Sequence, residues 1–87
     1  MTMISGAKAI AICLKKQNVR YVFGIVGVPV TAIAEELQKE GVRFIAMRNE
    51  QAASYAAQAA SYLLGSPQGC LVVSGPGVTN AISGLAN

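Results

Sequence analysis

Glu50 is the residue of this chain best placed to do acid–base chemistry. It is the only acid between Glu40 and the end of the chain, and it stands in the run Arg48-Asn49-Glu50-Gln51-Ala52-Ala53. The other acids, Glu35, Glu36 and Glu40, share one amphipathic stretch where water can hydrate them. Glu50 instead opens a segment of small apolar residues, and a carboxyl group partly removed from water can keep or share a proton near neutral pH. Glu50 is therefore a candidate to hydrogen-bond a ring nitrogen of a ligand.

A carboxylate at this place also has a purely structural explanation. Asn49 can cap a helix that begins at Glu50, and the helix dipole favours an anion in the first turn by a few tenths to about 1 kcal/mol. Acids in first helical turns are common and usually solvated. The context of Glu50, after an apolar run and before alanine-rich packing, favours the chemical interpretation.

Two glycine turns, Gly27-Val28-Pro29 and Gly75-Pro76-Gly77, stand before helical segments. Such turns can present backbone N–H groups to a phosphate. Here the Walker lysine, the G-x-G-x-x-G pattern and the acidic ribose partner are all missing. We interpret both as tight strand-to-helix turns, which also admit a flat ligand close to the backbone.

Other kinds of chemistry find little support. The chain has no histidine to activate Ser74, Thr79 or Ser83 as a nucleophile, and its four acids form no metal-ligand cluster. Cys13 and Cys70 sit in apolar runs without metal-ligand spacing, which predicts buried free thiols in a reducing, intracellular compartment.

Composition predicts one small, soluble unit. Its 87 residues are 53% hydrophobic with a formal charge of +3, and such a chain can bury roughly 60% of its unfolded surface. The seven cations are spread along the sequence and are not interleaved with aromatics, which argues against nucleic-acid binding. No apolar run approaches the roughly 20 residues needed to cross a bilayer, so no membrane partner is expected.

Hydrophobic periodicity predicts alternating helices and strands joined by short links. The predicted helices are at 5–17, 30–40, 49–64 and from 76 onward, and the predicted strands at 21–26, 42–47 and 70–74. In the third helix, six apolar residues are expected to share a packed face: Ala53, Ala56, Ala57, Ala60, Leu63 and Leu64. Tyr55 and Tyr62, seven residues apart, are expected to pack toward a partner or a further domain.

This alternation is typical of the α/β class with right-handed crossovers, and predicts a three-layer α/β/α arrangement with a parallel sheet. If the first strand lies between the other two, the loops that follow the strands meet at the carboxyl edge of the sheet. Those loops hold Gly27, Glu50 and Gly77. The chain stops soon after the third strand, so later strands are expected to follow Asn87.

Three motifs together resemble one known family. Phe23-Gly24-Ile25-Val26-Gly27-Val28-Pro29, Arg48-Asn49-Glu50-Gln51-Ala52-Ala53 and Ser74-Gly75-Pro76-Gly77-Val78-Thr79-Asn80 occur in the order and spacing of the amino-terminal pyrimidine-binding domain of thiamine diphosphate-dependent enzymes. The resemblance covers nearly the whole chain. Val30 after the loop proline favours the acyl-CoA branch, with 2-hydroxyacyl-CoA lyases most similar and oxalyl-CoA decarboxylases next.

The resemblance implies a flavodoxin-like fold and a role for each matching residue. Glu50 would be the catalytic glutamate that hydrogen-bonds N1′ of the cofactor aminopyrimidine and so activates the cofactor. Cofactor-binding residues would be Gly27, Val28, Pro29, Glu50, Gly77 and Asn80, with Gly77 and Asn80 nearer the substrate side of the cleft. Thiamine diphosphate would be shared with a diphosphate-binding domain of a partner subunit in a homo-oligomer, and that domain, absent from this chain, would hold Mg²⁺.

Three functional hypotheses remain open. The first is the amino-terminal portion of a lyase that cleaves a 2-hydroxyacyl-CoA to an aldehyde and formyl-CoA, inactive as 87 residues alone and peroxisomal or cytoplasmic by resemblance. The second is a non-catalytic truncated fragment or interaction module of such an enzyme, and a related alternative is the amino-terminal portion of an oxalyl-CoA decarboxylase. The third, a flavodoxin-like nucleotide or flavin binder, is disfavoured by the missing phosphate motif.

Overall fold

The computed structural model describes residues 5–27 and 30–86. The elements alternate as the sequence predicts, and the α/β class with a parallel sheet is confirmed. The helices are α1 (Gly6–Lys16), α2 (Thr31–Lys39), α3 (Glu50–Leu64) and α4 (Pro76–Ala86), and the strands are β1 (Tyr21–Gly24), β2 (Arg43–Ala46) and β3 (Gly69–Leu71).

The sheet has the order β2-β1-β3, and β1 pairs in parallel with both neighbours. Val22 lies opposite Phe44 on one side and Gly69 on the other. Each strand is shorter than predicted, because regular pairing on β1 ends where Gly24 meets Ala46 and Leu71. The carboxyl ends of the three strands therefore stop at one edge, and each is followed by the loop to its next helix.

One face of the sheet is covered by α1 and α2, which pack on each other. Ser5 caps α1 by accepting a hydrogen bond from the backbone N–H of Lys8, as the sequence predicts. The buried core on this side consists of Ala11, Val19, Val22, Leu37 and Val42. Because these side chains come from both helices, both neighbouring loops and the central strand, they hold the whole layer in register.

The other face is covered by α3, and α4 packs on α3 through small residues. Ala53, Ser54 and Ala57 of α3 are buried, and so are Gly77, Ala81 and Gly84 of α4. At Gly84 the fit is so close that an added Cβ would lie 2.0 Å from the Ser54 hydroxyl. Two helices can approach this closely only where one of them has no side chain.

The packed face predicted for α3 is wrong at its last turn. Leu63 is 79% exposed, Leu64 is also exposed, and Tyr62 is 86% exposed. The fifteen residues of α3 extend about 22 Å, whereas a strand of four residues extends about 13 Å. The helix is therefore longer than the sheet on which it packs, and its last turn has no strand beneath it. The first half of α3 is packed against the sheet and α4, and its last turn is exposed.

The prediction of buried thiols is also wrong, because both cysteines are exposed. Cys13 lies two residues from the buried Ala11, which is about 200° around the helix. Cys70 lies on β3, an edge strand with β1 as its neighbour. A short apolar run in the sequence does not distinguish the inner face of a helix from its outer face.

No helix in residues 5–27 and 30–86 has the length and apolar character needed to cross a membrane.

Candidate functional site

The candidate site lies at the carboxyl edge of the sheet, where β2 leads into α3 and β3 leads into α4. Glu50 is the first residue of α3. The side chain of Asn49 accepts hydrogen bonds from the backbone N–H groups of Gln51 at 2.8 Å and Ala52 at 3.2 Å. This cap fixes the start of the helix, and with it the direction in which Glu50 leaves the backbone. Glu50 is half-buried, as the sequence predicts.

Asn80 of α4 holds one oxygen of the Glu50 carboxyl group. Its side-chain amide donates a hydrogen bond to Glu50 Oε1 at 3.3 Å. The two residues are thirty positions apart in sequence, so this contact exists only because α4 packs on α3. Asn80 thus lies beside Glu50, and its place near the substrate side of a cofactor cleft stays a prediction.

Gly77 lies beside the other carboxyl oxygen. A Cβ built on this buried glycine would lie 3.6 Å from Glu50 Oε2 and 3.7 Å from the Cβ of Val72. That separation is an ordinary van der Waals contact, so the glycine leaves the space of one methyl group open next to Oε2. Among the residues that the structure describes, no donor hydrogen-bonds to Oε2.

The two glycine turns share a local geometry. The carbonyl of Gly27 accepts hydrogen bonds from the backbone N–H of Val30 and the hydroxyl of Thr31, both at 2.9 Å. The carbonyl of Gly75 accepts from the N–H of Thr79 at 3.2 Å and from its hydroxyl at 3.3 Å. Each turn is thus tied to the first turn of the helix that follows it.

The predicted cofactor residues divide into three groups. Glu50, Gly77 and Asn80 come together in one cluster. Gly27 lies at the same edge of the sheet, at the end of the loop after β1, without a described hydrogen bond to that cluster. Val28 and Pro29 lie outside the described residues.

Two residues of the site escaped prediction from sequence. Val72 lies against Gly77 at the end of β3, and Ser54, one turn after Glu50, is the buried polar residue on which α4 rests. The position of Ser54 could have been predicted from sequence, because it follows Glu50 by four residues and therefore lies on the same helix face. The role of Val72 could not have been predicted from sequence, because any apolar residue would fit the pattern of a buried strand at that position.

The cluster has the chemistry of a hydrogen-bonding site for a nitrogen heterocycle. A half-buried carboxyl group with one oxygen held by an amide presents its other oxygen to a ring N or N–H at a fixed angle. The open space at Gly77 gives room for the edge of a planar ring. An aminopyrimidine fits these residues. Within the described part of the chain, no group of three or more His, Cys, Asp or Glu is arranged to hold a metal ion.

Comparison with known proteins identifies the sequence family. A family model described as "Thiamine pyrophosphate enzyme, N-terminal TPP binding domain" matches residues 4–87. This match includes Glu50, Gly77 and Asn80, the three residues that the structure brings together.

Individual relatives agree with the family match. The chain is 60% identical over 84 residues to 2-hydroxyacyl-CoA lyase 1 of Mus musculus, and equally to that of Homo sapiens; the alignments cover 97% of this chain and 14% of each relative. It is 44% identical over 87 residues to oxalyl-CoA decarboxylase of Escherichia coli strain K12, covering 100% of this chain and 15% of the relative. The chain thus spans about one seventh of the length of these relatives.

Proposed function

Because the chain belongs to the thiamine pyrophosphate enzyme family through its N-terminal TPP-binding domain, we propose that it forms the pyrimidine side of a cofactor site in a carbon–carbon lyase. The substrate we propose is a 2-hydroxyacyl-CoA, cleaved to an aldehyde and formyl-CoA. The observation that carries the proposal is the Glu50 carboxyl group, held by Asn80 through Oε1 and open at Oε2 beside Gly77.

Glu50 has the task of exchanging a hydrogen bond or proton with the ring nitrogen of the cofactor. When bound, thiamine diphosphate supplies the nucleophile and electron sink for carbon–carbon cleavage. The start of α3 sets the position of the carboxyl group, and the half-buried setting limits competition from water. Oε2 is the oxygen that we assign to this hydrogen bond, because Oε1 already accepts one from Asn80.

Asn80 is a positioning residue in this proposal. Its amide reaches Glu50 from a different helix, so it restricts rotation of the carboxyl group about its last side-chain bond. A reacting group must be held close to its productive geometry for efficient proton transfer. Asn80 therefore acts through Glu50 and needs no contact with the reacting atoms.

The rest of the site must come from outside these residues. We propose that a diphosphate-binding domain of a partner subunit, which also holds Mg²⁺, completes the cofactor site in a homo-oligomer. The α3–α4 layer supports this, because every charged residue of the chain lies at or before Glu50 and none follows it. A helical layer with exposed apolar side chains and no charge after Glu50 can be buried against a second subunit with little electrostatic penalty. A peroxisomal or cytoplasmic location stays a prediction.

Oxalyl-CoA decarboxylase is the second candidate activity. It is favoured by an alignment that includes all 87 residues, and opposed by the higher identity to the lyases. Both candidates place Glu50 in the same role. Assays that offer a 2-hydroxyacyl-CoA and oxalyl-CoA in parallel separate them, because the lyase proposal requires faster turnover of the hydroxyacyl substrate.

Replacing Glu50 with glutamine tests the assigned role directly. In the protein that carries both cofactor-binding domains, Glu50→Gln keeps the shape of the side chain and removes its acid–base capacity. We expect turnover to fall by about 10²- to 10⁴-fold, the usual contribution of a general acid or base. Turnover is measured by release of the CoA product under saturating cofactor.

A binding measurement on the same variant separates loss of chemistry from loss of folding. Thiamine diphosphate and magnesium should still bind Glu50→Gln within about tenfold of wild type, because one hydrogen bond contributes about 1 kcal/mol. Glu35→Gln, which removes an exposed acid of α2, a helix on the other face of the sheet from α3, serves as the matched control and should leave turnover unchanged. Wild-type turnover in Glu50→Gln would refute the role of Glu50.

A further inference from the structure

A second site candidate lies at the opposite edge of the sheet from Glu50. Here, at the amino ends of β1 and β2, the structure has a cavity of about 450 Å³. Its walls come from the end of α1, the loop before β1 and the loop before β2. The buried side chains of Val19 and Val42 form part of its lining. This cavity shares no residue with the Glu50 cluster.

Three cations line this cavity, and no acidic residue does. They are Lys15 at the end of α1, Arg20 in the following loop and Arg43 at the start of β2. Within residues 5–27 and 30–86, neither guanidinium group makes an ion pair or a side-chain hydrogen bond. The backbone N–H of Arg43 donates to the carbonyl of Arg20 at 3.0 Å, which joins the loop before β1 to the start of β2.

Neutralisation of helix ends explains only part of this positive charge. The carboxyl ends of α1 and α2 face this edge and contribute about half a negative charge each. Lys15 Nζ donates a hydrogen bond to the carbonyl of Glu40, which is the cap residue of α2. One cation is thus used by a helix end, and the two arginines remain without a described anionic partner.

Two residues of the loops around the cavity adopt left-handed backbone conformations. Gly41 has φ +84°, and a Cβ there would lie 3.2 Å from Lys15 Nζ, so the glycine leaves space for the ammonium group. Asn18, on the opposite loop, has φ 65° and presents a side-chain amide to the same cavity. Amide and guanidinium donors around one concave surface suit an oxyanion, since arginine forks match phosphate oxygens in pairs.

We propose that this cavity binds a small phosphate-bearing anion. Lys15, Arg20 and Arg43 line one concave surface that has no acidic residue, and their ammonium and guanidinium groups are the donors that suit phosphate oxygens. Inorganic pyrophosphate is a simple probe of this kind. The site is independent of the cofactor role proposed for Glu50, because it lies at the other edge of the sheet.

Titration of the protein with pyrophosphate, followed by amide resonances in ¹H–¹⁵N spectra, tests the proposal. At 150 mM salt we expect saturable shifts at residues 18–21 and 41–43, with little change at Glu50. Arg20→Gln and Arg43→Gln should each weaken binding about tenfold, as expected for loss of one charge-assisted pair. Arg43→Lys should weaken binding less than Arg43→Gln and keeps the charge, which guards against misfolding as the cause.

Lys8→Gln is the matched control, because it removes one positive charge from α1 outside the cavity. Its affinity for pyrophosphate should stay within about twofold of wild type. Equal weakening by Lys8→Gln and Arg43→Gln would show attraction to net charge alone and overturn the site. Absence of saturable shifts at 18–21 and 41–43 would overturn it as well.

Discussion

At the scale of single residues, the functional claim depends on two atoms of Glu50. Oε1 accepts a hydrogen bond from Asn80, and Oε2 faces the space left by Gly77. An isolated acid in a first helical turn would be explained by the helix dipole alone. The hydrogen bond from Asn80 on a second helix places this acid in a cluster with Asn80 and Gly77. Stabilisation by the helix dipole would not require that contact.

The positioning role of Asn80 leads to a prediction. In Asn80→Ala the Glu50 carboxyl group loses its donor and becomes free to rotate. We expect the affinity for thiamine diphosphate to fall about tenfold, because a hydrogen bond to a charged group contributes about 1.5–3 kcal/mol before rearrangement. Titration calorimetry measures this. Ser83→Ala, exposed on the same helix, should bind like wild type, and unchanged affinity in Asn80→Ala would remove Asn80 from the site.

Cys70 gives a prediction about pH. Although the residue as a whole is exposed, its thiol borders a cavity of about 440 Å³ lined also by Ser54 and Gly84, and desolvation by these neighbours raises the pKa of the thiol above the ordinary value of 9.0. Folding therefore disfavours the thiolate, so this group's contribution to stability is present below pH 9 and is lost as pH rises through the raised pKa.

The consequence is measurable as slow alkylation. In a Cys13→Ser background, Cys70 should react with iodoacetamide at pH 8 more slowly than a free thiol, because the thiolate is the nucleophile. Denaturation in urea should restore the free-thiol rate. A folded protein that reacts as fast as the unfolded chain would contradict the raised pKa.

At the scale of elements, the contact between α3 and α4 builds the site. Gly84 lies so close to Ser54 that an alanine there must push the helices apart, whereas at Gly77 an alanine makes only ordinary contacts. We expect Gly84→Ala to lower the free energy of unfolding by about 1–3 kcal/mol through overpacking. Gly77→Ala, on the same helix, should change it by less than about 1 kcal/mol.

Urea denaturation monitored by circular dichroism gives both values. The pair also separates stability from function, because Gly77→Ala should cover Glu50 Oε2 and weaken cofactor binding without unfolding the chain. Equal loss of stability in both variants would show that α4 does not pack as described.

Sequence patterns predicted the elements well and their exposure poorly. Glycine turns, the Ser5 and Asn49 caps and the alternation of periodicities gave the order of helices and strands and the edge where Glu50 lies. The last turn of α3 and both cysteines were misjudged, because burial depends on how far neighbouring layers extend. The Asn80 contact was beyond local patterns, since it depends on the distance between two helices.

At the scale of the whole molecule, charge divides the chain into two parts. All eleven charged residues lie at or before Glu50, and the sequence from Gln51 to Asn87 has none. The helices of this second part also carry exposed apolar side chains, among them Tyr62 at 86% and Leu85 at 78% exposure. A helix that is apolar on several sides is usually covered in its working assembly.

We therefore expect this layer to form the contact with a second subunit. Leu85→Lys places a charge on the exposed side of α4 and should weaken self-association at least tenfold, because burying an unpaired charge costs several kcal/mol. Sedimentation equilibrium over a concentration series measures the constant. Lys8→Glu, a charge change on the opposite layer, is the control; equal association of wild type and Leu85→Lys would place the contact elsewhere.

The strand order β2-β1-β3 determines when each strand can pair during synthesis of the chain. The central strand, β1, is the first strand to leave the ribosome. Its neighbour β3 begins about 45 residues after the end of β1. At about 5–20 residues per second, one side of β1 has no partner for roughly 2–10 s. Asn80, the hydrogen-bond partner of Glu50, is made about 0.5–2 s after the end of β3. Until β3 is made, the nascent chain displays an unpaired strand edge, the state in which a chaperone would have most to protect.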